Sequence, residues 1–292
     1  MINPIMFTIH IGSFSWPIHW YGVILMTATV IAAWLAEREV RRRGENGDHI
    51  WNVAVWLIPA GVIGARLWFV VNATLGGNLL YLDQPLQIIN IPAGGLHIYG
   101  GLLFGAIALF LYARRYELDL WLLLDSIAPT VLIGQALARP ANFINQELYG
   151  QPTTLPWGIP ISADHRIAAY SDLSLYPVET TRFHPTFAYE MIWNFLAAAL
   201  LFWLLYRFAS RIKPGAMFAG WLICAGVGRS IIEQFRPDQP RIPGLSLTYT
   251  NLVSLLMALT GVLFLLWRYE VIHLPSLPDL PDTYKISTKK IS

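Results

Sequence analysis

The run WLLLDSIAPTVLIGQALA at residues 121–138 is followed directly by RPANFINQELYG at residues 139–150. The first stretch is apolar, and a helix of about 20 such residues spans a bilayer. The second stretch brings a guanidinium, two amides and a carboxylate to the end of that helix, in Arg139, Asn142, Asn145 and Glu147. Such groups are costly in lipid and usually face a cavity or a partner. This junction therefore predicts a polar pocket, able to hold an anion, at the edge of a membrane.

The composition is that of an integral membrane protein. Of the 292 residues, 55% are hydrophobic and 13% are charged, whereas about a quarter of the residues of a soluble domain are charged. The mean hydropathy of +0.48 indicates the same class. A net charge of +2 gives no reason to expect a nucleic acid as a partner. The single cysteine, Cys224, excludes intramolecular disulfides, and thiolate metal sites are not expected.

The apolar runs predict an all-α polytopic membrane protein with about seven transmembrane helices. The predicted spans cover residues 18–36, 50–71, 96–113, 121–138, 186–206, 215–232 and 251–267. We expect them to form one membrane domain over residues 1–272, followed by a flexible cytoplasmic tail at 273–292. Residues 1–17 carry no Lys or Arg, so a cleaved signal peptide is not expected.

The basic residues predict how the helices are oriented. Lys and Arg cluster after the first, third, fifth and seventh spans, at residues 38–43, 114–115, 207–213 and 268–290. The connection at residues 72–95, on the other side, has none. Because cytoplasmic loops are enriched in Lys and Arg, we expect the N-terminus outside and the C-terminus in the cytoplasm.

Two of the predicted outside connections are too long to be simple turns. Residues 72–95 contain two glycine pairs and two prolines, and we expect them to lie along the membrane interface. Residues 151–182 contain four prolines and several aromatic residues. We interpret this second segment as a small extracytoplasmic cap inserted into the membrane domain.

Three arginines, Arg66, Arg139 and Arg229, fall within or at the outer end of predicted spans. One interpretation is that each side chain extends to the interface and keeps only its stem in lipid. The other is that the guanidinium groups surround a phosphate, which arginine holds with paired hydrogen bonds. Three arginines at similar depth, close to the amides of segment 139–150, favour a phospholipid head group. Glu233 lies four residues after Arg229 on the same helix face, so the two side chains can pair.

The start of the third span carries candidate chemistry in GGLHIYGG at residues 94–101. Its glycine pairs, including Gly100 and Gly101, allow either the close approach of a ligand or close packing of helices. His97 and Tyr99 can act at a cavity as a base or a hydrogen-bond donor, or they can have structural roles. The residues alone leave these alternatives open.

Two further segments open predicted spans with polar and aromatic side chains. Tyr21 belongs to HWYG at residues 19–22, where aromatic residues typically form an interface belt. His184 and Glu190 belong to HPTFAYE at residues 184–190, and the proline suits a first helical turn. We interpret these two residues as orienting groups.

Motifs for metal-dependent or nucleotide-dependent catalysis are absent from the sequence. It has no HExxH, no P-loop, no GxSxG elbow and no His/Cys cluster at metal-ligand spacing. No metal and no cofactor are therefore expected.

The run at residues 139–150 resembles the signature of the bacterial prolipoprotein diacylglyceryl transferases. Further blocks similar to this family follow in the family's order over most of the chain, at residues 19–22, 64–66, 94–101, 125–129, 184–190 and 228–236. The family has seven membrane helices with the N-terminus outside, which agrees with the prediction from charge.

The resemblance implies an activity. Family members transfer the diacylglyceryl group of phosphatidylglycerol to the thiol of the lipobox cysteine in a prolipoprotein signal peptide, form a thioether and release glycerol phosphate. The resemblance implies a bacterial plasma (inner) membrane enzyme whose active site is toward the extracytoplasmic side. It also implies that Arg139 and Arg229 are the essential arginines. The candidate substrate-binding residues are Tyr21, Arg66, Asn142, Asn145, Glu147, Gly150, Glu233 and Arg236.

The chain departs from the family pattern at several positions. Ala138 replaces the first signature glycine, and Ala225 stands where the family often has tyrosine. Tyr99 stands where the family often has the histidine proposed as a base, and His97 lies two residues earlier. A tyrosine with an ordinary pKa of about 10 is a poor base at neutral pH, so both residues are candidate catalytic groups. The alternative function is a phospholipid transporter or scramblase that uses the same arginines.

Overall fold

Long apolar helices dominate the fold in a computed structural model, which describes residues 2–12, 14–91, 94–236, 241–245, 247–273 and 280–289. Seven of the described helices are long and apolar enough to span a membrane, which confirms the predicted fold class. The helices are α1 (Trp20–Arg42), α2 (Asp48–Leu75), the short α3 (Leu80–Asp83), α4 (Ile98–Arg115), α5 (Leu120–Ile144), α6 (Thr186–Arg207), α7 (Ala216–Glu233) and α8 (Tyr249–Arg268). Short 3₁₀ helices cover Pro85–Ile89, Ala163–His165, Ala168–Tyr170 and Ala209–Arg211.

Two of the helices extend well beyond their apolar runs. Helix α1 continues to Arg42, because a polar last turn adds side-chain pairs such as Arg41 with Glu37 at 2.8 Å. Helix α5 continues through Pro140 to Ile144. The polar residues predicted to follow the fourth span therefore begin on its last turns, where residues three apart share a face.

A β-hairpin precedes the first membrane helix and was not part of the sequence prediction. Strands β1 (Ile5–Ile11) and β2 (Phe14–His19) pair antiparallel. The backbone N–H of Trp20 donates to the carbonyl of Pro4 at 3.0 Å, which joins the base of the hairpin to the start of α1.

The chain divides into two compact units, and the first comprises Met1–Leu35 and Leu124–Thr283. Its membrane core contains Leu132 from α5 together with Ala197, Ala198 and Leu201 from α6. Asp125, which is fully buried, accepts from the backbone N–H groups of Gly215 and Phe218 at 2.6 and 2.8 Å. A carboxylate at this position satisfies free N–H groups at the start of α7 and complements the positive end of its dipole.

The cap segment at residues 151–182 shares a small core with residues that directly flank it. Tyr149, Ile161, Tyr170 and Phe183 are buried together. The guanidinium of Arg166 lies 5.3 Å from the centroid of the Phe183 ring, and its Nε donates to the carbonyl of Ile161 at 3.1 Å. This arginine therefore holds the cap together from within. The inserted-cap boundaries and the division at residue 272 stay predictions.

The second unit comprises Ala36–Leu123 and Tyr284–Ser292, with α2 packed on α4. The two helices approach so closely that a Cβ on Gly64 would lie 2.5 Å from the Gly100 carbonyl oxygen. At the other end of this helix pair, His49 Nδ1 lies 2.9 Å from the hydroxyl of Tyr112, and both side chains are buried.

The C-terminal tail makes specific contacts over residues 280–289. In the first unit, Asp282 lies 3.1 Å from Arg268 and 3.2 Å from Lys213. In the second unit, the backbone N–H of Ser287 donates to Glu45 at 2.7 Å. The flexibility of the tail stays a prediction, and residues 274–279 and 290–292 lie outside the described part.

Candidate functional site

A chain of polar contacts runs along the end of α5. Arg139 Nη1 donates to Asn142 Oδ1 at 3.3 Å, and Asn142 Nδ2 donates to Glu147 Oε1 at 2.7 Å. Helical spacing of three residues places the first two on one face. The Nε of Arg139 is buried and makes no hydrogen bond within the described residues. Three of the predicted site residues are thus adjacent in the structure, and the buried Nε–H of Arg139 is still to be satisfied.

The other side of Arg139 contacts Glu190, which lies in the first turns of α6 (Thr186–Arg207). Its Nη2 forms a short ion pair with Glu190 Oε1. Both side chains are mostly buried, and a partly buried charge pair with hydrogen bonds fixes the direction of a guanidinium. Glu190 thus contacts Arg139 directly, and its orienting role stays a prediction.

Arg229 forms the second arginine–carboxylate pair, as predicted from its spacing. Its Nη2 lies 2.9 Å from Glu233 Oε2 on the next turn of α7. Glu233 is 5% exposed, and its other oxygen accepts from the hydroxyl of Thr248 at 2.8 Å. Arg229 also lies within electrostatic reach of Arg139, Glu190 and Arg236. The two arginines therefore belong to one charged cluster in the first unit.

Trp193 fixes α6 against α7 next to Arg229. Its indole N–H donates to the carbonyl of Cys224 at 2.8 Å. The same indole occupies the space that a Cβ on Gly228 would need. Glu190 lies one turn before Trp193 on α6. The same helix therefore contacts the side chain of Arg139 through Glu190 and the backbone beside Arg229 through Trp193.

The loop after α5 is held in an unusual backbone conformation. Gln146 and Leu148 have φ angles of 52° and 55°, a region that residues with a Cβ rarely adopt. Gln146 Oε1 accepts from the backbone N–H of Ser162 at 2.8 Å, which ties the loop to the cap. Strained backbone of this kind persists where surrounding contacts impose it, often at functional sites.

Gly150 is required by close packing at the end of this loop. A Cβ there would lie 2.6 Å from the carbonyl oxygen of Phe235 and 2.9 Å from the Cβ of His184. Its N–H donates to the carbonyl of His184 at 2.8 Å. Close packing thus explains why a glycine stands at position 150. Its predicted contact with substrate stays a prediction.

A cavity of about 540 Å³ lies between α1 and α5 within the first unit. Its wall is mostly apolar or small, and it ends in a polar group of residues. The apolar part includes Leu25, Ala28, Ala32, Val131, Gly134 and Ala138. Thr29 and Gln135 add polar groups along the wall, and the polar end, at the start of α1 and the end of α5, has Tyr21, Arg139, Asn142 and Glu147. Such a cavity matches a ligand with an anionic head and apolar chains.

His184 joins the cap to α6 through a hydrogen-bonded chain. Trp157 Nε1 donates to the hydroxyl of Tyr189 at 2.8 Å, and this hydroxyl lies 3.0 Å from His184 Nδ1. The indole can only donate, so the tyrosine oxygen accepts from Trp157, while the direction of its hydrogen bond with His184 depends on the tautomer of the ring. Burial lowers the pKa of His184 from its ordinary value, so the neutral ring is favoured. These contacts join the cap to α6, and the orienting role of His184 stays a prediction.

In the second unit, Arg66 holds the loop between α2 and α4. Its guanidinium donates to the carbonyls of Gln87, Ile88, Gly94 and Gly95 at 2.5–3.0 Å. The same group lies 5.5 Å from the centroid of the Tyr81 ring. Carbonyl oxygens thus occupy most of its N–H groups, and this geometry favours a structural role over the predicted binding of substrate.

His97 and Tyr99 lie at the start of α4 with their ring centroids 5.2 Å apart. The backbone N–H of His97 donates to the carbonyl of Ala65 at 3.0 Å. Its Nδ1 is buried and makes no hydrogen bond within the described residues, whereas Tyr99 is 44% exposed. Gly100 has no room for a Cβ beside Gly64, so at Gly100 the close-packing interpretation is the one the geometry supports.

Asn145 and Arg236 flank the charged cluster in sequence. The backbone N–H of Asn145 donates to Ala141, and that of Arg236 donates to Glu233, at 3.0 and 3.1 Å. Gly101 approaches α2 less closely than Gly100, with 3.4 Å between its Cβ position and the Gly61 carbonyl oxygen. The predicted roles of these three residues stay predictions.

Sequence reasoning did not identify Trp193, Thr248, Gln146 or Leu148. Thr248 had a detectable signal, because a threonine directly before an apolar run is typical of a helix N-cap, and its side chain accepts from the N–H of Asn251. Trp193 had no such signal, since an indole on an apolar helix is normally a packing residue.

The fold and the site define a class: a multi-pass membrane protein with paired arginines at the polar end of an apolar cavity. A model of the prolipoprotein diacylglyceryl transferase family matches residues 4–267. The chain is 37% identical over 276 residues to a phosphatidylglycerol–prolipoprotein diacylglyceryl transferase of Synechococcus elongatus, covering 93% of this chain and 89% of that protein. It is 36% identical to one of Chloroflexus aggregans, covering 89% of each, and 35% identical to one of Halalkalibacterium halodurans, covering 91% and 87%. The chain belongs to the prolipoprotein diacylglyceryl transferase family.

Proposed function

We propose that this protein transfers the diacylglyceryl group of phosphatidylglycerol to a cysteine thiol of prolipoproteins. The single observation that carries the proposal is the cavity whose apolar wall ends at Arg139, Asn142 and Glu147. Family membership gives the reaction and both substrate classes, because the relatives named above carry this activity in their names. A transporter of phospholipid has no comparable support.

The cavity suits the lipid substrate in shape and charge. The glyceryl group and the start of its acyl chains lie along the apolar wall formed by α1 and α5. The phosphate lies at the polar end, where Arg139 has an unsatisfied Nε–H. Its pair with Glu190 keeps the guanidinium aimed while the site is empty, and the phosphate then accepts from the remaining N–H groups.

The chemistry replaces a carbon–oxygen bond by a carbon–sulfur bond. The thiolate sulfur attacks the glyceryl carbon attached to the phosphate oxygen, and the bonding electrons pass to that oxygen. Glycerol phosphate leaves with one more negative charge than the phosphodiester carried. Arg139 and Arg229 stabilise this developing charge, which is the main contribution that fixed cationic donors make to catalysis.

The thiol proton needs an acceptor, and two candidates remain. His97 has a buried Nδ1 that makes no hydrogen bond within the described residues, whereas Tyr99 is exposed, and a phenol is a poor base at neutral pH. His97 is therefore the better candidate base in this chain, and Tyr99 is a candidate hydrogen-bond donor. Neither assignment is needed for the role of the arginines.

The finer partners and the location belong to the same proposal. The acceptor thiol is that of the lipobox cysteine of a signal peptide, and the enzyme acts in the bacterial plasma membrane. The positive-inside pattern directs residues 139–150 and the cap toward the extracytoplasmic side. A thiol on a translocated signal peptide reaches that side without crossing the membrane again.

The test uses the purified full chain in detergent with phosphatidylglycerol and a synthetic lipobox peptide. Glycerol phosphate should be released only when the peptide thiol is present, and a peptide with serine in place of that cysteine should give none. Arg139→Ala and Arg229→Ala should each lower turnover by about 10²–10³-fold, as loss of one charge-stabilising donor does. Arg182→Ala, in the cap, is the matched control. Near wild-type turnover in either folded variant would refute the assigned role.

A further inference from the structure

The N-terminal hairpin has one entirely apolar face. In its register, Phe7 lies opposite Ile18, and Ile9 lies opposite Trp16. Residues directly opposite each other in an antiparallel pair project from the same side. These four side chains therefore form one surface, which we call the apolar face of the hairpin.

The opposite face carries the polar side chains. Thr8 lies opposite Pro17, and His10 lies opposite Ser15. The imidazole of His10 and the hydroxyl of Ser15 are 2.8 Å apart, which confirms that they share a side. The hairpin is thus amphipathic with the two-residue period of a β-strand.

The apolar face is exposed in the folded chain. Phe7 is 50% exposed, Ile9 is 40% exposed and Trp16 is 59% exposed. A two-stranded hairpin is only marginally stable in water by itself, and exposed apolar patches mark interaction surfaces. This face therefore requires an apolar partner.

Charge and position identify that partner as lipid. Residues 1–36 contain no Lys, Arg, Asp or Glu, so the hairpin and most of α1 form one uncharged segment. The hydrogen bond from Trp20 to Pro4 joins the hairpin to the start of α1. The surface of α1 then continues with exposed side chains such as Met26 and Val30, which a membrane helix presents to acyl chains.

We propose that the hairpin lies in the membrane interface, with its apolar face toward the acyl chains and its polar face toward water. Aromatic residues such as Trp16 favour this depth. Because the hairpin runs directly into α1, it also sets the depth of Tyr21, which lies at the polar end of the cavity. The proposal concerns where the hairpin lies, and it does not depend on the proposed reaction.

Single-cysteine labelling tests this arrangement in the full chain. Cys224 is the only cysteine, so Cys224→Ala gives a background for Phe7→Cys, Thr8→Cys, Ile9→Cys and His10→Cys. Each variant is spin-labelled in nanodiscs of phosphatidylethanolamine and phosphatidylglycerol. We expect collisions with oxygen to dominate at positions 7 and 9, and collisions with a water-soluble nickel chelate to dominate at positions 8 and 10.

Two outcomes would overturn the proposal. Equal access of the nickel chelate to all four positions would mean that the hairpin lies in water. Protection of positions 7 and 9 from both reagents would mean that protein covers the apolar face, either a second copy or a bound peptide. Transfer activity measured on the same variants is a separate result, so failure of this proposal and failure of the proposed function are distinguishable.

Discussion

At the scale of single residues, the site depends on how each arginine is paired before substrate arrives. Arg139 is held by Glu190 and Asn142, and Arg229 is held by Glu233. Pairing lowers the cost of keeping a guanidinium in a mostly buried position, because an unpaired buried charge is strongly destabilising. It also aims the donors in advance, so little reorganisation is needed as charge develops on the phosphate.

The proton acceptor can be identified at the same scale. If His97 accepts the thiol proton, His97→Gln should lower turnover more at pH 8 than at pH 6, and more than Tyr99→Phe does at pH 8, because an imidazole accepts a proton only in its neutral form. Turnover of both variants and of wild type is measured from pH 6 to pH 8. Identical pH profiles of the two variants would exclude His97 as the base.

At the scale of elements, α6 determines the spacing of the two arginines. Glu190 on its first turns contacts Arg139, and Trp193 one turn later packs on the backbone of Gly228, beside Arg229. A rigid helix is a better support for such a site than a loop, because a shift of about 1 Å in a catalytic group can cost about 10²-fold in rate. We therefore expect Trp193 to be a positioning residue that acts through Arg229.

A substitution at Gly228 tests this spacing. Gly228→Ala places a methyl group where the indole lies, and overpacking of this kind costs about 1–3 kcal/mol. We expect the turnover number to fall roughly 10- to 100-fold while the KM for lipid changes little, since the head group still has Arg139. Trp193→Phe in the same chain should restore part of the turnover by making room. A purely structural role would instead lower thermal stability with no partial rescue of turnover.

The junction between the cap and α6 should respond to pH through His184. Burial lowers its pKa, so the folded protein favours the neutral ring, whereas the unfolded chain titrates at about 6.5. The resulting stability is fully present above pH 6.5 and is lost as the pH falls through the lower folded pKa. Thermal unfolding between pH 5 and pH 8 should show this loss in wild type. His184→Gln should lack it, and an unchanged acid dependence in that variant would exclude His184 as its origin.

At the scale of the whole molecule, orientation in the membrane decides which substrates can reach the site. Basic clusters at residues 38–43, 114–115, 207–213 and 268–290 predict a cytoplasmic C-terminus. The cap and the charged cluster at the end of α5 would then lie on the extracytoplasmic side. Seven long helices among the described residues are consistent with termini on opposite sides, since an odd number of spans requires this.

Orientation can be measured in intact cells on the Cys224→Ala background. A membrane-impermeant maleimide should label Glu179→Cys in the exposed part of the cap without lysis. Lys285→Cys, in the tail, should be labelled only after the membrane is permeabilised. Labelling of the tail variant in intact cells would reverse the predicted orientation.

The sequence alone determined the class of protein, the number of membrane helices and most of the residues that form the charged cluster. Apolar run length is set by bilayer thickness, and the spacing of Arg229 and Glu233 is set by the helical turn, so both are local properties of the chain. The resemblance to the family rests on the same local blocks. These predictions needed no knowledge of how the helices pack.

Only the tertiary structure decided which partners the polar groups have. It paired Arg139 with Glu190, 51 positions along the chain, and it directed Arg66 to loop carbonyls rather than to an open pocket. It also required glycine at position 228, because Trp193 occupies the space there, and it formed the amphipathic hairpin before α1. The physical reason is that a contact between distant segments depends on helix packing and strand register, which composition and periodicity do not encode.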